Sequence, residues 1–127
     1  MRISLFIITL VLLTGCAGSR AWQSMQISST RGEADRNNAN LMKVEVGQSR
    51  VQFLQVMGSP TKREAYQLPN ARSVEFLFYR TDGWSNMSST DTDAQFTPVA
   101  IENGSVVGWG RNYYNRVVRS AVDITVK

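Results

Sequence analysis

Asn103-Gly104, set between the β-branched runs "TPVAI" and "SVVGW", constrains this chain more than any other feature. A two-residue type I′ turn needs positive φ at both central positions, and Asn-Gly is the pair that supplies it most easily. Such a turn places Glu102 opposite Ser105, Ile101 opposite Val106 and Val99 opposite Gly108. Opposed residues share a face of the sheet. Val99, Ile101 and Val106 then form a core side, on which Gly108 and Gly110 let a helix approach closely. The other side carries Ala100, Val107, Trp109, Arg111 and Tyr113. An apolar, aromatic and basic patch of that kind suits a protein contact or an anionic lipid surface. A bulge would shift the register by one and turn Trp109 into the core, and the sequence is compatible with both arrangements.

The remaining periodicities surround this hairpin with few elements. "SVEFLFYR" alternates Val74, Phe76 and Phe78 with Ser73, Glu75, Leu77 and Tyr79, the pattern of a strand. "TKREAYQL" is a weaker strand, and Pro98, which cannot donate to a ladder, is expected at a strand start or on an edge. Upstream, Ser49 and Gln52 have capping-box spacing. Val51, Leu54 and Met57 recur on one apolar face that Phe53 and Val56 widen, and Gly58 and Pro60 end the helix. So short a helix is not stable alone and must lie on something larger. Thr30 and Glu33 offer a second capping box, although Gly32, Asn37, Asn38 and Asn40 are poor helix formers. The expected fold is α+β: two short N-terminal helices packed on one face of a three- to four-stranded antiparallel meander.

The N-terminus has the form of an export signal. Arg2 precedes an apolar run over residues 3–13, too short for the roughly 18 apolar residues of a membrane-spanning helix. Leu13-Thr14-Gly15-Cys16 looks like the lipobox of bacterial lipoproteins, in which cleavage precedes a cysteine that becomes lipidated. Cys16 is the one cysteine of the chain, so no intramolecular disulfide competes for it. Two or more acyl chains anchor a protein stably. By the same resemblance Ala17, where lipoproteins retained in the inner membrane usually carry Asp, implies the outer membrane and its periplasmic face. The expected organisation is a signal peptide at 1–15, a lipidated tether at 16–29, and one small α+β domain at 30–127 with a C-terminal extension.

Several chemistries are excluded or poorly supported by composition. The chain has no His, which removes the commonest general base and metal ligand. With the cysteine lipidated, no Cys/His or Ser-His-Asp arrangement can be assembled. Asp91 and Asp93 resemble the start of a calcium loop, but the later Gly and Glu are missing. Gly108 and Gly110 open no phosphate-binding helix. A formal net charge of +4, one unit of it from Arg2, is far from the basic stripe of a nucleic-acid binder. Neither an enzyme nor a cofactor is expected.

Lys43-Val44-Glu45-Val46-Gly47-Gln48-Ser49, a short helix, then Met57-Gly58-Ser59-Pro60 resembles the "K-I-x-V-G-M-T…L-G-T-P" pattern of the SmpA/OmlA (BamE-like) outer-membrane lipoprotein family. "SVEFLFYR" and "FTPVAIENGSVVGW" are similar to its aromatic strand and closing hairpin. The tail "GWGRNYYNRVVRSAVDITVK" departs from the barrel-assembly member, which implies a paralogue. The resemblance implies a non-enzymatic, lipid-anchored accessory or stabilising module of an envelope protein complex. The alternative is a periplasmic binding or inhibitor lipoprotein acting on a soluble enzyme or an envelope ligand. Candidate contact residues are Val107, Trp109, Arg111 and Tyr113, with Trp84 in the polar loop before the hairpin.

Overall fold

The computed structural model describes residues 18–83 and 92–122. Helices α1 (Gly18–Leu41) and α2 (Arg50–Met57) precede strands β1 (Lys62–Gln67), β2 (Ser73–Arg80), β3 (Phe96–Glu102) and β4 (Ser105–Trp109), and helix α3 (Arg111–Val122) follows. The strands form one antiparallel meander in the order β1-β2-β3-β4. As expected, the two N-terminal helices cover one face of that sheet. Cys16 and the signal segment lie outside the described residues, and so does Trp84.

Helix α2 follows its sequence signals. The Ser49 hydroxyl accepts from the Gln52 backbone amide while the Gln52 side chain accepts from the Ser49 amide, so both halves of the capping box are made. Gly58 ends the helix with its amide on the Leu54 carbonyl, at φ 73° and ψ −162°, a conformation essentially confined to glycine. The apolar face is narrower than the periodicity suggests. Phe53 and Met57 are buried, Leu54 and Val56 are half-buried, and Val51 is 67% exposed. Phe53 stands edge-on to Tyr79 at 5.7 Å, and the Tyr79 hydroxyl reaches back to the Gly58 carbonyl at 2.9 Å. These contacts bind α2 to β2.

Helix α1 is longer than its sequence suggests, running without a break for 24 residues through most of the expected tether and past Thr30. The asparagines that weaken it as a helix attach it to the sheet. Asn37 Nδ2 donates to the Arg80 carbonyl at 2.7 Å and Asn38 Nδ2 to the Thr81 carbonyl at 2.8 Å. Ala34 is buried and Leu41 packs on the core beside Val44. Tertiary bonds override the local propensity here.

The hairpin turn forms as expected, with φ 51° at Asn103 and 75° at Gly104. Its register does not persist. A bulge between Ala100 and Ile101 moves the ladder by one, so Val99 faces Trp109 and Ala100 faces Gly108. Pro98 sits inside the central strand β3 and is buried, not at a strand start or on an edge. Its carbonyl accepts from the Gly110 amide, so its missing donor falls where β4 has already ended.

The sheet is covered on both faces. Leu77, Tyr79, Val99, Ile101 and Val106 meet α2 on the first face. Val74, Phe76, Phe78, Phe96 and Ala100 meet Tyr113, Tyr114 and Val117 of α3 on the second. The tail beyond the hairpin is therefore a third layer.

Truncating Phe53 to Ala should destabilise the domain by about 3–5 kcal/mol, as an aromatic-to-Ala change in a closed core does. Leu54→Ala should cost less, because that side chain is half-buried, and Ser49→Ala about 1 kcal/mol for the lost cap. Urea unfolding of the three variants checks this order. Equal midpoints for Phe53→Ala and Leu54→Ala would contradict the packing of α2.

Candidate functional site

The bulge decides where the expected contact residues go. Trp109 turns to the first face and packs beside the end of α1, with 39% of its surface exposed. Tyr113 stays on the second face, where its ring packs against Gly108. A Cβ at Gly108 would stand 2.7 Å from the Tyr113 ring carbons. A glycine there does admit a helix, but the helix is α3 and the face is the opposite one. Val107 packs beside Tyr113 on that covered face. Arg111 bonds the carbonyls of Asp93 and Phe96, the latter at 3.0 Å, and its guanidinium lies 5.4 Å from the centre of the Tyr114 ring. Trp109 thus stands apart from Arg111, Tyr113 and Val107, and the open patch that a bulge-free register implies does not form.

A different surface remains. A shallow groove of about 540 Å³ is lined by Asn38, Ala39, Leu41, Met42, Val44 and Trp109. It lies where α1 ends and the chain turns into the Val44–Ser49 segment. Met42 is 87% exposed and Val44 is buried, so the groove has an apolar floor, a free thioether at its lip and an indole as its wall. Large apolar groups left in water at one place mark contact surfaces. Methionine and tryptophan suit such a role, the first by adaptability and the second by area. Met42 carries no motif in the sequence. Its position directly after the last helical residue is the only local cue.

The second feature is polar. Glu64 and Tyr66 share a face of β1, and Tyr114 of α3 comes down on them. The Glu64 Oε2 accepts from the Tyr114 hydroxyl at 2.6 Å and from the Tyr66 hydroxyl at 2.8 Å, with 2.9 Å between the two hydroxyls. Lys62 Nζ stands 3.5 Å from Glu64 Oε1 and 2.6 Å from Asp93 Oδ1. Burial pushes the Glu64 carboxyl up, but the Tyr114 and Tyr66 hydroxyls and the Lys62 charge together hold it below the usual range. Burial raises both tyrosines, and the Glu64 carboxylate raises them further. Burial also pushes Tyr79 up, to about 12. Every polar atom of this trio already has a partner, so it serves as a fastener for α3. Among the described residues, no cluster of His, Cys, Asp or Glu converges as a metal site would.

On acidification, the stability that ionised Glu64 contributes is present above the ordinary carboxyl range. It is lost as pH falls through the depressed native value. The raised tyrosines contribute below pH 10 and lose their contribution only as pH rises through their native values. Amide protection, measured against the intrinsic rate at each pH, should therefore fall in α3 before α2 as pH drops below about 4, and Tyr114→Phe should lower it in α3 at neutral pH. Uniform exchange across both helices would contradict the fastener.

No curated protein and no solved structure matches the chain. Residues 14–116 match the model of the family described as a protein of unknown function (DUF3192). The match takes in all four strands, α2, and the start of α3 with its Tyr114 contact, and the chain belongs to that family.

Proposed function

We propose that the chain is a non-enzymatic lipoprotein, anchored in the outer membrane on its periplasmic side, and an accessory interaction module of an envelope protein complex. One observation carries this reading. The lipobox cysteine, Cys16, lies two residues before α1, and α1 runs unbroken for 24 residues to the mouth of the apolar groove. At ~1.5 Å per residue that helix is a rod of about 36 Å. A lipid at one end and a contact surface at the other suit a module held at a set height above a membrane.

Three further points support it. No described helix is long and apolar enough to cross a membrane, and the anchor proposed is the lipid on Cys16. Arg50 with Glu75, Arg72 with Glu102 and Lys62 with Asp93 are short ion pairs within the fold. The motif around α2 resembles that of the SmpA/OmlA family, and the resemblance implies an interaction module.

Replacing Cys16 with Ser should move the protein from the outer-membrane fraction to the soluble or precursor fraction, and wild-type fractionation of that variant would overturn the anchor. Photo-crosslinkers at Met42 and Trp109 should join the protein to membrane proteins, and one at Val51, whose exposure lies between theirs but which is away from the groove, should not. Met42→Asp should weaken capture more than about tenfold, or ~1.4 kcal/mol, with an unchanged thermal midpoint because Met42 is so exposed. Capture of a soluble periplasmic enzyme instead would favour the binding or inhibitor reading.

A further inference from the structure

The two edges of the sheet are treated differently. Outside β4, the Gly47 amide donates to the Val106 carbonyl at 2.7 Å, Val106 donates to Gln48 at 2.9 Å, and Arg50 donates to Gly104 at 2.8 Å. That edge is closed by the chain itself. Among the described residues, strand β1 pairs with β2 alone.

The groups that β1 presents outward follow from the ladder. Thr81 donates to the Gln95 carbonyl, so the odd residues of β2 bond β3 and its even residues bond β1. Those even residues face Lys62, Glu64 and Tyr66, and the Leu68 amide on the Arg72 carbonyl continues the same alternation. The backbone donors and acceptors of Arg63, Ala65 and Gln67 therefore point away from the sheet. Their side chains are exposed as well. An open edge of this kind is a template for another strand.

We infer that the occupant is a second copy of this chain, its β1 paired antiparallel with the first about a two-fold axis at Ala65. Register selects that axis. With Ala65 opposite Ala65, Arg63 faces Gln67 of the second copy, Glu64 faces Tyr66 and Lys62 faces Leu68. All three outward residues then meet outward residues, giving about six backbone hydrogen bonds. An axis at Glu64 sets carboxylate against carboxylate, and one at Arg63 sets guanidinium against guanidinium. Axes at Tyr66 or Gln67 bring Pro69, which has no amide proton, into the ladder. Ala65 also has the smallest side chain of the strand. On the face of Ala65 α2 covers β2 to β4 and leaves β1 bare. On the other face Tyr114 of α3 lies over Glu64 and Tyr66 and leaves the outward backbone of Arg63, Ala65 and Gln67 uncovered among the described residues. The product is a continuous sheet across two copies, with each pair of like helices on the same side.

Cysteine crosslinking in the full chain tests the axis. Paired residues in a hydrogen-bonded antiparallel register stand about 5.5 Å apart at Cα, within disulfide reach. Ala65→Cys should give a disulfide-linked dimer under mild oxidation. Arg63→Cys alone should not, whereas Arg63→Cys with Gln67→Cys should. The parent chain, with Cys16 as its one cysteine, is the control. In sedimentation of the uncrosslinked protein, Gln67→Glu should tighten the dimer and Gln67→Arg should loosen it. Each shift should be roughly two- to thirty-fold, since the contact occurs twice. The inference is overturned if Ala65→Cys crosslinks no more than the parent, if Arg63→Cys crosslinks as well as Ala65→Cys, or if both Gln67 variants sediment like the parent.

Discussion

Strand β2 needs cover on both faces, and most of the fold follows from that requirement. Val74, Phe76 and Phe78 point one way and Leu77 and Tyr79 the other, and all five are essentially removed from water. A strand with a polar face could lie at the surface of a two-layer domain. This one requires a layer above and a layer below. Helix α2 supplies the first with Phe53 and Met57, and α3 supplies the second with two tyrosines and a valine. The layers are unequal in kind. Helix α2 inserts fully buried side chains, whereas no residue of α3 is fully buried. Helix α3 is held by ring edges against Phe76 and Phe78 at 4.9 and 5.5 Å and by the hydroxyl contacts to Glu64. Elements with little deep burial open at lower free energy than the whole domain does, so α3 is the layer most easily lifted.

The sequence carried the caps, the turn and the strand order plainly, because each depends on residues within a few positions of one another. Ser49 with Gln52, Gly58, and Asn103-Gly104 all behave as their local chemistry dictates. It was less explicit where two distant segments decide together. The bulge at Ala100 and Ile101 has no signature of its own, yet it sends Trp109 to one face and leaves Tyr113 and Val107 on the other. The third layer was announced by the run Phe76-Leu77-Phe78-Tyr79. In that run apolar residues occupy both phases of the alternation, the mark of a strand buried on two sides. Weighing only the alternation hides that sign.

Helix α1 shows the same limit from the other side. Its asparagines argue against a helix locally, and Asn37 and Asn38 are the residues that bond it to the end of β2. Side-chain amides held on backbone carbonyls fix position more sharply than apolar contacts do, because the bond is directional. The same helix then delivers Leu41 and Met42 to the sheet beside Trp109, and the groove exists because that placement is fixed. The groove could not be read from the residues that line it. It depends on the asparagines one turn upstream and on a bulge in a strand far along the chain.

The polar contacts divide by reach. Arg50 grips Glu75 with two bonds at 2.9 and 3.2 Å, from the first turn of α2 to the middle of β2. Arg111 ties the start of α3 to the carbonyls of Asp93, ahead of β3, and of Phe96, the first residue of that strand. Each joins a helix end to a strand, where chain direction changes and apolar packing is thinnest. Partly exposed pairs of this sort contribute little to stability one by one. Their consequence is geometric. They hold the helices in register with the strands, so that one edge of the sheet is sealed by the segment entering α2 and the other, β1, has no strand outside it among the described residues. Among the described residues, the fold closes β4 with its own backbone and leaves the backbone groups of Arg63, Ala65 and Gln67 facing outward from one short strand. Any pairing the molecule makes through its main chain has that strand as its first available place.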